Sequence, residues 1–148
     1  MSMYSQFKTS ETLETKGIDI DYGDFIVTIA RAGGANKKFT RVLEQKTKPY
    51  RRAIQTETMD PTVAEEMLRE VYAEAIILNW QSKIGEEDGA RVFAVGIEAP
   101  EGEELLDFTK ENVVDTLRRL PDLFTDLQQQ SNKISLFRED VLEHDAGN

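Results

Sequence analysis

Apolar and polar positions alternate near the start of the chain and later recur at helical spacing. Residues 12–20 and 24–30 carry apolar side chains at alternate or adjacent positions: Ile18 and Ile20, then Phe25, Ile26, Val27 and Ile29. That spacing predicts two β-strands. The join Asp21-Tyr22-Gly23-Asp24 has turn chemistry, so the pair is expected as an antiparallel hairpin. A lone two-stranded hairpin is barely stable in water, so helices must cover its apolar face.

Gly33-Gly34 ends the second strand. Asn36 can cap a helix with Phe39, Val42 and Leu43 on one face, which ends or bends at Lys48-Pro49. Residues 50–55 read as a further short helical piece. Asp60-Pro61 is a stronger start: an aspartate N-cap, proline in the first helical position, and Glu65 and Glu66 near the positive end of the helix dipole. Val63, Met67, Val71, Ala75 and Leu78 form its stripe. The run Ala75-Ile76-Ile77-Leu78-Asn79-Trp80 is apolar nearly all round and predicts a deeply buried end to this helix, stopped by Gly85. Within a variable stretch, 85–107, Val92, Phe93, Val95 and Ile97 predict a small second hairpin. Thr109 caps the next helix (Val113, Val114, Leu117, Leu120), and Pro121 begins another (Leu123, Phe124, Leu127, Ile134, Phe137).

At 148 residues the chain is long enough for one domain with a real core. No apolar run is long enough to span a membrane, and the polar start has no signal-peptide core, so the expected location is the inside of a cell. With no cysteine, disulfides, zinc–thiolate sites and thiol nucleophiles are excluded. Net charge is −10, yet residues 31–52 hold eight bases against Glu44 alone, while residues 53–148 hold eight bases against 22 acids. Opposed blocks of this kind either fold against each other or face differently charged partners.

No constellation of catalytic chemistry stands out. Gly33-Gly34 between strand and helix lacks the spacing and the hydroxyl of a phosphate-binding loop. Asp19, Asp21 and Asp24 fail the calcium-loop pattern, which needs glycine and glutamate where Asp24 and Ala30 stand. His144 is the sole histidine and lies in the acidic end of the chain. The expectation is a protein that is not an enzyme and takes no cofactor and no metal. Lys46-Thr47-Lys48-Pro49-Tyr50-Arg51-Arg52 is a basic cluster with an interleaved aromatic, the form of a single-strand or phosphate-binding surface. The bland alternative is a solvated helix face, and the overall negative charge opposes nucleic acid.

Several stretches together resemble the tail assembly chaperones of long-tailed bacteriophages. They are Asp21-Tyr22-Gly23-Asp24-Phe25, the run from Ile29 through Ala32-Gly33-Gly34-Ala35-Asn36-Lys37-Lys38 to Phe39, and the basic cluster from Lys46 to Arg52. Val71-Tyr72-Ala73-Glu74 before Trp80, Phe108-Thr109-Lys110-Glu111-Asn112, Leu120-Pro121-Asp122-Leu123-Phe124 and Lys133-Ile134-Ser135-Leu136-Phe137-Arg138 continue the likeness. Residues 92–104 depart from it as extra sequence. The resemblance implies a non-enzymatic protein, absent from the finished virion, that binds the tape measure protein and keeps it soluble while the tail tube assembles. It further implies the tail tube protein and a frameshifted longer form of the chain as partners, with homo-oligomerisation open, and the bacterial host cytoplasm as the location.

The expected architecture is α+β and predominantly helical: an N-terminal β-hairpin packed against four to five helices. Residues 1–12 are expected as a flexible N-terminus, 13–138 as a single domain with the variable loop 85–107, and 139–148 as an acidic flexible tail. The candidate partner-binding residues are Lys37, Lys38, Lys48, Tyr50, Arg51, Arg52, Phe124, Leu136 and Phe137. The alternative function is a small nucleic-acid-associated factor using the basic strip 37–52.

Overall fold

The first hairpin forms where the alternation places it. In a computed structural model that describes residues 2–102 and 104–139, β1 (Ile18–Asp21) pairs antiparallel with β2 (Phe25–Ile29), in the register Ile18 to Ile29 and Ile20 to Val27. The Asp21 carboxylate accepts the Gly23 amide at 2.8 Å, and Gly23 takes a φ of 93°, which a side chain would strain.

The expected architecture, an N-terminal hairpin packed against four to five helices, is overturned. The sheet has four antiparallel strands in the order β1-β2-β3-β4, the second pair being β3 (Ile77–Glu87) and β4 (Ala90–Val95) from the middle of the chain. The predicted helix through Trp80 stops at Ala75, because β2 needs a neighbour. Ile29 pairs with Ile77, and Val27 with Trp80. A short run that is apolar on every side suits a central strand as well as a buried helix, and β-branched Ile76 and Ile77 favour the strand. Asp88 and Gly89, at φ 50° and 80°, make the turn into β4. The small hairpin expected at 92–97 is therefore one arm of this larger one, and Ile97 instead bridges Leu106.

One face of the sheet is roofed by helices. Those that share its core are α5 (Pro61–Ala75), α6 (Lys110–Arg119) and α7 (Pro121–Ser131), with α3 (Lys37–Thr47) packed on α5; α4 (Arg51–Gln55) and, at the start of the chain, α1 (Met3–Phe7) and α2 (Glu11–Lys16) are short. The strand expected from residue 12 thus begins only at Ile18, after a helix capped by the Ser10 hydroxyl. Ser10 is itself buried and donates its amide to the Phe137 carbonyl at 2.7 Å, which fastens the start of the chain to the end of the domain. The Asp60 and Thr109 caps form as predicted. Asn36 occupies the N-cap position of α3, but its side chain turns inward, donating to Arg31 O and Ala75 O.

The core lies between sheet and helices, around Val27, Ile29, Tyr72, Ile76, Trp80, Leu117 and Leu127. Tyr72 on α5 packs edge-on to Phe39 of α3 and Phe124 of α7, and its hydroxyl meets that of Ser131 at 3.1 Å. One side chain therefore ties three helices together. Among the described residues no helix is long and apolar enough to cross a membrane. The expected acidic tail lies outside the described residues, except Glu139.

Candidate functional site

The sequence-predicted site residues separate into two groups. Lys37, Lys38, Lys48, Tyr50, Arg51 and Arg52 are all exposed, on the α3 flank of the helical layer. Lys37 and Lys38 stand at the start of α3, while Lys48 to Arg52 follow its far end, about 16 Å along the axis for 11 residues at 1.5 Å each. Phe124 and Phe137 lie instead in the interior at 7% and 0% exposure, and Leu136 is half-buried in a 3₁₀ turn. The fold itself occupies these two rings, and they do not join the basic residues.

The bases of the strip differ in how they are used. Lys46 is held by Glu70 and Glu74 of α5, at 3.3 and 3.9 Å. Glu74 also takes Lys110 of α6, whose hydrogen bond holds the Glu74 carboxyl below its ordinary value and lifts the Lys110 ammonium above its own. This base is committed to joining α3, α5 and α6. Arg41, Lys48, Arg51 and Arg52 have no ion-pair partner among the described residues. Arg41, Lys48 and Arg51 line a shallow surface concavity with Glu44, Gln45 and Thr47. The positive charge on this flank is thus available to something outside the domain.

A second feature was not among the predicted sites. An apolar cleft of about 370 Å³ opens at the other side of the helical layer, with Phe25 and Trp80 of the sheet, Ile97 and Leu106 of the connecting loop, and Leu120 and Leu123 of the α6–α7 corner on its walls. Trp80 is 3% exposed and stacks on Phe25 at 5.9 Å, which in turn stacks on Tyr22 at 4.7 Å. The Tyr22 hydroxyl donates to Asp126 of α7. Burial first, and then that carboxylate, push the phenol above its ordinary range. This stack fixes the floor of the cleft.

The roof is Glu98, Ala99 and Pro100, in a loop closed at its base by paired hydrogen bonds between Ile97 and Leu106 at 2.9 and 2.7 Å. Gly96 anchors it: its amide donates to Trp80 O at 3.0 Å, and its carbonyl accepts from the Ser82 hydroxyl at 2.8 Å. Gly96 sits at φ 147°, where an added Cβ would approach Leu105 to 3.0 Å. Leu120 at the rim is 52% exposed. The cleft can take apolar side chains. Its walls come from residues scattered from 25 to 123, so only an isolated apolar pair within the acidic loop, Ile97 and Leu106, hints at it in the sequence.

Among the described residues no group of three or more histidines or acids is placed to hold a metal ion. Residues 34–93 match a protein family described as YdaY prophage protein. The similarity indicates a prophage-derived protein. No curated protein and no solved structure matches the chain.

Proposed function

We propose that this protein is a phage tail assembly chaperone that binds the tape measure protein and keeps it soluble while tail tube subunits assemble. The observation that carries the reading is the prophage similarity over residues 34–93. That region contains Lys46 to Arg52 and Val71 to Glu74 before Trp80, two of the stretches that resemble tail assembly chaperones. An open apolar cleft beside an exposed leucine supports it, because a long helix with an apolar stripe needs such a surface to be kept from aggregating.

Co-expression with the tape measure protein of the same phage tests the reading. The chaperone should raise the soluble fraction and co-elute with the tape measure on gel filtration. A tape measure that stays insoluble at every expression ratio would refute it.

A second reading is favoured by one observation: Arg41, Lys48, Arg51 and Arg52 form no ion pair with another described residue. On that reading the protein is a small nucleic-acid-associated factor, and its binding to single-stranded nucleic acid would fall steeply as salt rises.

A further inference from the structure

We infer that the cleft beneath Glu98, Ala99 and Pro100 is the docking groove for a basic amphipathic helix of a protein partner; this rests on the chaperone reading and assigns its binding surface. Three features of the cleft point the same way. Its floor is apolar and fixed, so an entering side chain meets a formed surface rather than having to open one. One end is open, and the exposed Leu120 extends the apolar floor beyond the enclosed part, as a helix carrying a stripe of side chains requires.

The third feature is charge. Glu98 on the roof is exposed and makes no ion pair with another described residue, and Glu101, Glu104 and Asp107, equally exposed and unpaired among the described residues, follow it along the chain. On the opposite wall Asp115 brings a second carboxylate into the lining and binds Arg119, the guanidinium there, at 2.9 Å, so the described lining holds two carboxylates against one guanidinium. An apolar floor with an acidic roof selects a helix whose apolar stripe is flanked by lysine or arginine. The net charge of −10 steers the same partner at longer range.

Trp80 lies in the floor and is the sole tryptophan, so it reports occupancy directly. The probe is a tryptophan-free 18-residue helix of leucine and lysine, titrated into the full chain while Trp80 emission is followed. Its counterparts carry glutamate for every lysine, or serine for every leucine. The lysine peptide should give a saturable change in emission, and both counterparts should bind at least tenfold more weakly. Leu120→Asn leaves charge unaltered and should weaken the lysine peptide about tenfold. Glu98→Lys with Glu101→Lys and Glu104→Lys should weaken it further and reverse the preference between the peptides. No change in Trp80 emission, equal binding of the lysine and glutamate peptides, or wild-type affinity in Leu120→Asn would each overturn the inference.

Co-expression separates the two levels. If Leu120→Asn keeps the tape measure as soluble as wild type does, the chaperone reading stands and the cleft is not its site. If wild type fails to solubilise the tape measure, the chaperone reading falls, and the peptide titration still decides the cleft.

Discussion

The Arg91 guanidinium grips the Asp21 carboxylate through both terminal nitrogens, at 2.8 and 2.7 Å, and joins the turn of the first hairpin to the arm of the second. A further bond from Arg91 to Gly23 O at 3.0 Å, and the Phe93 ring 5.1 Å beneath the guanidinium, complete the clamp. A bidentate pair of this kind has the geometry that isolated surface pairs lack.

The clamp sets a pH dependence. The Arg91 hydrogen bond, and then that of the Gly23 amide, hold the Asp21 carboxyl at about 2. Its contribution to stability is therefore fully present above the ordinary aspartate value near 4, and is lost as pH falls from there through about 2. Urea unfolding of wild type and Arg91→Gln should differ at pH 7, and the difference should shrink between about pH 4 and pH 2. A constant difference across that window would mean that Asp21 titrates normally.

A buried pair makes a stronger demand. Glu14 on α2 is 2% exposed, and its carboxylate is bound by the Arg31 guanidinium and faces the Ala35 amide at 3.4 Å. Arg31→Ala strands a charge away from water and should cost about 3 to 5 kcal/mol. The double replacement Glu14→Leu with Arg31→Met removes both charges and should cost less than Arg31→Ala alone. Equilibrium unfolding of the three proteins measures this directly.

The same carboxylate explains one glycine. Gly34 has φ 55°, and an added Cβ would collide with the Glu14 carboxylate. Gly34→Ala should destabilise by at least about 1 to 2 kcal/mol from the backbone alone. Gly33→Ala, at φ 125° with open space around it, carries the strain without the collision. Thermal melts should therefore rank Gly34→Ala below Gly33→Ala.

What the sequence disclosed follows how local each signal is. Asp60-Pro61, Thr109 and Asp21 to Asp24 act within a few residues, and each does in the fold what its chemistry predicts. The segment from Ile76 to Trp80 was not legible, because its conformation is decided by β2, some 50 residues earlier. The helix at Glu11–Lys16 was missed for a similar reason: Glu14 is buried only because Arg31 and the Gly33-Gly34 turn receive it. The basic strip was visible as composition. Which of its bases is already used is a tertiary fact, since Lys46 pairs with Glu70 and Glu74 while Arg51 and Arg52 pair with no described residue. The cleft depends wholly on distant residues meeting.

Trp80 bears on both stability and binding. It is 3% exposed, stacked on Phe25 and paired across the sheet with Val27, so Trp80→Ala should cost about 3 to 5 kcal/mol. Its emission in the native protein should be that of a tryptophan shielded from water. Trp80→Phe fills most of the space and should lose less stability than Trp80→Ala, as denaturant titration would show.

The bases of the α3 flank give a paired test of which charges the fold uses. Arg51 and Arg52 are exposed and unpaired among the described residues, so Arg51→Glu with Arg52→Glu should alter stability by no more than about 0.5 kcal/mol. Lys46→Glu faces Glu70 and Glu74 with a like charge and should cost about 1 kcal/mol. The folded double variant then divides the two functional readings. If nucleic acid is the ligand, the variant should lose affinity and show a shallower dependence on salt, because two phosphate contacts are gone. If the apolar cleft carries binding to the tape measure, the variant should still co-elute with it on gel filtration. Loss of co-elution in a variant with an unchanged melting temperature would place the basic flank within the tape measure interface.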